Sequence, residues 1–365
     1  AVVPGAIPEL DLALRADALD LSPANAIGDL EGSADGRLIP DLDFPAGALD
    51  ALRVEASLEL GRLRIGDLVA REFGARARLR DGRLELAPLS LQGHRGTLSA
   101  ELVARAAGDG SLAAELVLET EDLILDSASV PAARLDRRTP VDARISLRGN
   151  GRSTRSLAAT LAGELVIHAR AGELPVARNP VAGYFVEDLA SRLLASVLRR
   201  DARREPLDEI SCLLLRAGAR DGIVAGSPAL VLDTDAVTIL GDARVDLATE
   251  ALAMDLRSRA KRGLGLSLGD LVNPLTTIGG TLARPRVGAD RRGLIIEGGA
   301  AAATGGLSFL AKKVLERFLA SDQPCTDLLA RRGRSGAGPT QPGARASDGQ
   351  DAERVPGIGR LSARW

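Results

Sequence analysis

The stretch DGRLELAPLSLQGHRGTLSAELV, residues 81–103, sets Leu84 and Leu86, Leu89 and Leu91, and then Leu98, Ala100 and Leu102 two positions apart. Successive side chains of an extended strand point to opposite sides, so this spacing gives each strand one apolar face and one wet face. Alternation of this kind belongs to antiparallel sheets, whereas strands buried on both sides read as unbroken apolar runs. The pattern recurs at Leu10, Leu12 and Leu14, at Leu58, Leu60, Leu63 and Ile65, at Leu112, Ala114, Leu116 and Leu118, and at Val141, Ala143, Ile145 and Leu147. It continues through Leu165 and Ile167, Leu230 and Leu232, Val237 and Ile239, Ala243, Val245 and Leu247, and Leu252, Met254 and Leu256. Between the runs stand Asp81-Gly82, Asn150-Gly151, Asp221-Gly222 and Gly241-Asp242, pairs that reverse a chain at little cost. The spacing therefore predicts hairpin after hairpin, with strand content well above the about 20–25% of an ordinary globular chain.

Two segments carry a helical period instead. After Asn179, an N-cap before Pro180, the residues Val181, Phe185, Leu189, Leu193 and Val197 recur every fourth position, predicting an amphipathic helix over about 180–200. Residues 307–319 place Leu307, Leu310, Ala311, Val314, Leu315 and Phe318 on one face and Lys312, Lys313, Glu316 and Arg317 on the other. Beyond residue 330 the sequence turns to Arg, Gly, Pro, Ser and Ala without periodicity, so 1–330 reads as one β-rich domain and 331–365 as a disordered tail.

Charge and composition narrow the function. The 47 basic and 49 acidic residues are interspersed and leave a net charge of -2, so no global field draws the chain onto nucleic acid. Aromatic residues make up 2% of the chain, too few to build stacking platforms for single strands. No run reaches the roughly 18 to 20 apolar residues of a spanning helix; the nearest, 294–311, holds Glu297 and several glycines and reads as a connection. The chain opens AVVPG, without an initiator Met and without the order of a signal peptide, and so reads as a fragment or a processed product.

Catalytic and metal chemistry find little to work with. His94 falls in the loop Gln92-Gly93-His94-Arg95-Gly96 and His168 beside Ile167 in a strand, neither with an acidic cluster near it in the sequence. Both read as surface or strand residues rather than as bases or ligands. LDTD at 232–235 has neither the glycine nor the second copy that a paired-carboxylate protease needs, and reads as a turn. GLGLSLG at 263–269 lacks both a phosphate-loop lysine and a strand–helix setting. The basic run LRRDARRE at 198–205 reads as a helix C-terminus and solvated face, with contact to anionic headgroups as the alternative. The expectation is a non-enzyme without metal or cofactor.

Four blocks, in order, carry a family resemblance: residues 39–102, then GNGRSTRSLAATLAGELVIHARAGEL (149–174), RDGIVAGSPALVLDTDAVTILGDARVDLATEALAMDLRSR (220–259) and IGGTLARPRVGAD (278–290). Together they resemble the C-terminal region of the AsmA family, over about residues 10 to 330. The resemblance implies a protein of Gram-negative envelopes, anchored in the inner membrane by an N-terminal helix that lies outside this sequence, with its β-rich body in the periplasm. It implies a part in outer-membrane assembly and in moving phospholipid between membranes along an apolar groove. The fold expected is mainly β, a long curled antiparallel sheet forming a groove with the two amphipathic helices packed on it.

The groove lining expected from the alternation is Leu84, Leu86, Leu98, Leu102, Ile145, Leu147, Leu165, Ile167, Val237, Ile239, Val245 and Leu247, facing phospholipid acyl chains. The alternative is a structural or adhesive β-repeat protein whose sheet closes over a dry core and binds no lipid. In the oxidising compartment that the resemblance implies, Cys212 and Cys325 would bridge; the other reading is two separate thiols.

Overall fold

The computed structural model describes residues 8–21, 36–66, 68–128, 130–173, 209–235, 237–261, 276–288 and 323–330. Strand accounts for 68% of them, nearly all in one 15-stranded mixed sheet that does not close. The helices expected at 180–200 and 307–319 and the tail 331–365 lie outside the described residues. The chain divides into two units, 1–327 and 328–365, the second described only over 328–330.

The sheet runs in near-sequential order. Its path is β1 (Glu9–Leu21), β2 (Arg53–Ile65), β3 (Leu68–Arg80), β4 (Arg83–Gln92), β5 (Arg95–Ala106), β6 (Leu112–Ile124), β8 (Val141–Gly151) and β9 (Ala162–Ala169). It continues through β12 (Cys212–Arg220), β13 (Ile223–Asp233), β14 (Val237–Asp246), β15 (Ala251–Ala260), β16 (Thr276–Gly280) and β17 (Pro285–Gly288). The short β7 (Asp126–Ser127) pairs with β3, and β10 (Gly172–Glu173) pairs with β11 (Glu209–Ile210) as a separate ribbon. The expectation of antiparallel pairing fails at one place: β1 and β2 are parallel, Leu10 opposite Val54 and Leu14 opposite Leu58. A tight turn cannot join parallel strands, and here 31 residues, 22–52, intervene.

The long strands bend at bulges. Pairing is interrupted at Asp17, Gly61 and Glu72, at one level of β1, β2 and β3, without a change of register among the three, while against β4 the register of β3 shifts between Arg71 and Gly74. The extra residue of such a bulge kinks its strand and adds twist. Glu72 and Asp122 take left-handed backbone at φ 48 and 57. Gly96, at φ 71, answers the second: a Cβ there would sit 2.1 Å from the carbonyl oxygen of Glu121.

A strap, residues 36–45, and helix α1 (Ala46–Ala51) run along one end of the strands. Leu38 and Ile39 donate their backbone N–H groups to the Glu250 carboxylate, at 2.9 and 2.7 Å, in the β14–β15 turn. The carbonyl of Ile39 accepts from Arg155 Nε at 2.9 Å. Arg155 belongs to α3 (Thr154–Ala159), between β8 and β9, which is N-capped by Ser153. Ile39 thus ties the β8–β9 connection to the β14–β15 turn along this end of the sheet. At the opposite end α2 (Ala132–Leu135) sits in the β6–β8 connection with Leu135 buried.

Candidate functional site

The register shows which side chains share a face. Leu86 lies opposite Leu102, Leu102 opposite Leu116, Leu116 opposite Leu147, and Ile145 opposite Leu165. Ile167 then faces Leu215, Leu215 faces Leu230, Leu232 faces Ile239, and Val245 faces Leu252. Cross-strand neighbours point the same way, so one aliphatic face runs without a charged residue from Leu10, Leu12 and Leu14 on β1 to Met254 and Ile278 at the far side. Leu84, Leu98 and Val237 belong to it as well. Leu247 does not: it follows the end of β14 in a turn and gives its N–H to the Gly222 carbonyl at 2.9 Å.

Exposure grades along this face. Leu10, Leu12 and Leu14 are 54, 53 and 51% exposed, the leucines of β4 to β9 are half-buried except for the buried Leu123, and Ile239 and Ile278 are 2 and 0% exposed. Two clusters bound the middle. One gathers Leu60, Leu63 and Ala70 with Leu19 and Phe73 at the bulged bend. The other gathers Ala169, Ile210, Leu232, Ile239, Leu256 and Ile278. A cavity of about 550 Å³ opens at the bend between Leu60, Phe73, Arg15 and Glu72.

The reverse face of β1 to β9 is ionic. Glu59 meets Arg15 at 2.7 Å, Glu55 meets Arg78 and Arg80, and Glu119 meets Arg144. The hydrogen bond and charge of Arg78, helped by Arg80, hold the Glu55 carboxyl below its ordinary value of 4.5. Such exposed pairs set register more than stability. On β12 to β14 the reverse face changes character. Leu214, Val231 and Leu240 lie opposite one another there at 1, 1 and 0% exposure, beside Cys212. Cys212 is joined to Cys325, 2% exposed at the start of α4 (Pro324–Ala330), by a disulfide with Cα atoms 6.5 Å apart. None of these three apolar residues belongs to the expected lining, yet CLLL and ALVL are unbroken apolar runs, the signal of burial on both faces, and Leu240 directly follows Ile239.

The isolated titratable residues of the sequence acquire partners in the fold. His94 sets Nε2 at 2.7 Å from Asp136 and Nδ1 at 3.2 Å from Asp126, whose other oxygen meets Arg71 at 3.0 Å. The acidic neighbours that the sequence does not show arrive from the β6–β8 connection. His168 stands opposite Asp142; burial pushes its ring below the ordinary 6.5, against the pull of Asp142, and burial raises Asp142 above 3.8, against His168. The LDTD segment forms the turn expected of it. Thr234 and Val237 close it with mutual hydrogen bonds, while buried Asp233 accepts from Thr238 and Lys261, both at 2.7 Å. Among the described residues no cluster of His, Cys, Asp and Glu could hold a metal ion, and no helix is long and apolar enough to cross a membrane.

No family model, no curated protein and no solved structure matches the chain.

Proposed function

We propose that the chain is a non-catalytic envelope protein whose curled sheet carries phospholipid acyl chains on its apolar face, within outer-membrane assembly and transport between membranes. The observation that carries this reading is the uncharged aliphatic face shared by thirteen consecutive strands of the path, half-buried through its middle. Apolar patches beyond a few hundred Å² are unusual on a soluble chain unless something binds there. A strand of ten residues is about 33 Å long, ample for one acyl chain laid along it. Aliphatic walls without aromatic shelves or polar handles suit a ligand that slides. The resemblance to the AsmA family supplies the setting, a periplasmic body associated with the inner membrane of a Gram-negative bacterium.

The packed cluster around Ile239 and Ile278 favours the second reading, a dry core, for the C-terminal strands. Acyl contact is therefore assigned to β4 through β9, with Leu86, Leu102, Ile145, Leu147, Leu165 and Ile167 as its walls. Purified protein extracted with organic solvent and analysed by mass spectrometry is expected to yield phospholipid. Leu147→Arg is expected to abolish that yield while circular dichroism keeps its strand signal. Loss of the strand signal in Leu147→Arg, or a lipid-free wild type, would support the closed alternative.

A further inference from the structure

We infer that β1 is a docking edge for a second copy of this chain, the two β1 strands pairing antiparallel about a two-fold axis at Leu12. The motive is an edge of 13 residues, all exposed but one, free of proline and lysine over its whole length. Such an edge is a ready template for another strand.

The hydrogen-bonding pattern fixes which groups are free. The Pro8 carbonyl accepts from the Arg53 N–H and the parallel register continues from there, so residues 10, 12 and 14 turn their N–H and C=O toward β2. The N–H and C=O groups of Glu9, Asp11, Ala13 and Arg15 therefore face outward. With Leu12 on the two-fold, Glu9 of one copy stands opposite Arg15 of the other and Asp11 opposite Ala13. Each such pair exchanges two bonds, about eight in all, and uses every free group of the four residues. Leu10 then faces Leu14, and Leu12 faces its own copy, at the closer non-hydrogen-bonded positions where side chains touch best. Arg15 already holds Glu59, but its side chain is still 82% exposed and has a free side for Glu9.

Charge selects this register over its neighbours. A shift of two residues one way sets Asp11 against Asp11; the other way sets Glu9 against Asp17, which offsets the Asp11–Arg15 pairs it also makes. Like charges directly opposite are unfavourable. The segment Glu9-Leu10-Asp11-Leu12-Ala13-Leu14-Arg15 is thus complementary to itself under a two-fold, as an isologous interface requires. It also carries the aliphatic face unbroken from one copy into the next. The pairing does not rest on lipid binding: mass reports the one and co-purified acyl chains the other.

The test is light scattering on the purified chain over a range of concentrations, together with single cysteines on β1 and the Cys212–Cys325 bridge left intact. Wild type is expected to pass from monomer to dimer with concentration. Leu12→Cys is expected to form a covalent dimer on mild oxidation, and Ala13→Cys not, because only position 12 meets its own copy within disulfide reach. Ala13→Pro removes an outward N–H without touching the β2 pairing, and is expected to weaken the dimer by roughly tenfold or more while circular dichroism is unchanged. A chain that stays monomeric, or a dimer that crosslinks at position 13 and not 12, or one that Ala13→Pro leaves intact, would overturn the inference.

Discussion

The first three strands and strands β12 to β14 belong to one sheet and share one aliphatic face, yet they end in opposite environments. On β1, Leu10, Leu12 and Leu14 are more than half exposed; on β12 and β14, Leu214 and Leu240 are 1 and 0% exposed. What differs is the residue between the leucines. In β1 to β3 it is mostly Asp, Glu or Arg, so the reverse face must stay wet and only one side of the sheet can be buried. In β12 to β14 it is again Leu, Val or Ile, and both sides are packed. One-sided strands leave an apolar face available, while two-sided strands spend theirs on stability.

The largest expected effect breaks that contrast directly. Leu240→Arg would bury a cation with no partner among Leu214 and Val231 and is expected to prevent folding, a loss beyond about 5 kcal/mol. Leu240→Ala is expected to cost about 3 to 4 kcal/mol in urea unfolding. Leu10→Ala, at a concentration too low for β1 edges to associate, is expected to change stability by no more than about 0.5 kcal/mol. Equal losses at the two positions would mean that β1 is packed in solution.

Next comes the bridge. Cys212 and Cys325 are 113 positions apart, and closing a loop of that size is worth up to about 4 to 5 kcal/mol through the unfolded chain. Cys325→Ser, or dithiothreitol on the wild type, is expected to lower the unfolding free energy by about 2 to 5 kcal/mol. Because the bridge sits on the packed reverse face of β12, hydrogen exchange should rise there and leave β2 to β6 unchanged. Uniform loosening would show instead that the sheet folds as one cooperative block.

A smaller effect is expected at the strap. Glu250 is 1% exposed at φ 59, and its carboxylate accepts the N–H groups of Leu38 and Ile39. Glu250→Gln replaces one acceptor by a donor that faces a donor, at a cost of about 1 to 3 kcal/mol. Exchange at residues 36–44 should accelerate ahead of the strands; if it does not, other contacts hold the strap.

Much of this architecture is legible in the chain, and the unread parts have physical causes. Alternation marks the strands from β2 to β15 and the face to which the lining residues other than Leu247 belong; Asp81-Gly82 and Asp221-Gly222 are the turns expected, but Gly241-Asp242 lies inside β14 and Asn150-Gly151 at the end of β8. Parallel pairing of β1 is not marked, because it is decided by where a 31-residue excursion returns. The reverse-face core at Leu214, Val231 and Leu240 is written in unbroken apolar runs, but a search for period two selects Leu230, Leu232 and Ile239 and passes over their neighbours. The partners of His94 come from residues 126 and 136, and only the β6–β8 connection folding back onto the β4–β5 turn brings them in. The lipid-facing role of the lining is not written in any single residue: a leucine on an open face and one in a dry core look alike until the covering is known.

The smallest expected effect concerns the boundary between the two regions, where β9 joins the one-sided strands to the two-sided ones. His168 there is half-buried and its ring is held below 6.5 by burial, so the folded chain favours the neutral form. Above 6.5 the ring is neutral in both states and its contribution is complete. As pH falls through 6.5 the unfolded chain takes up the proton first, and stability declines until the lower, folded value is passed. Asp142 works the other way at lower pH. Its folded value is raised above 3.8, so the folded chain is protonated first and the penalty of its buried charge is relieved as pH falls toward 3.8. His168→Gln should flatten the slope of urea midpoints just below 6.5. Asp142→Asn should deepen the decline, since the carboxylate is the group that stabilises the imidazolium against burial. If His168→Gln leaves the slope unchanged, β9 is as wet on its reverse face as β2, and the change from one-sided to two-sided strands begins only at β12.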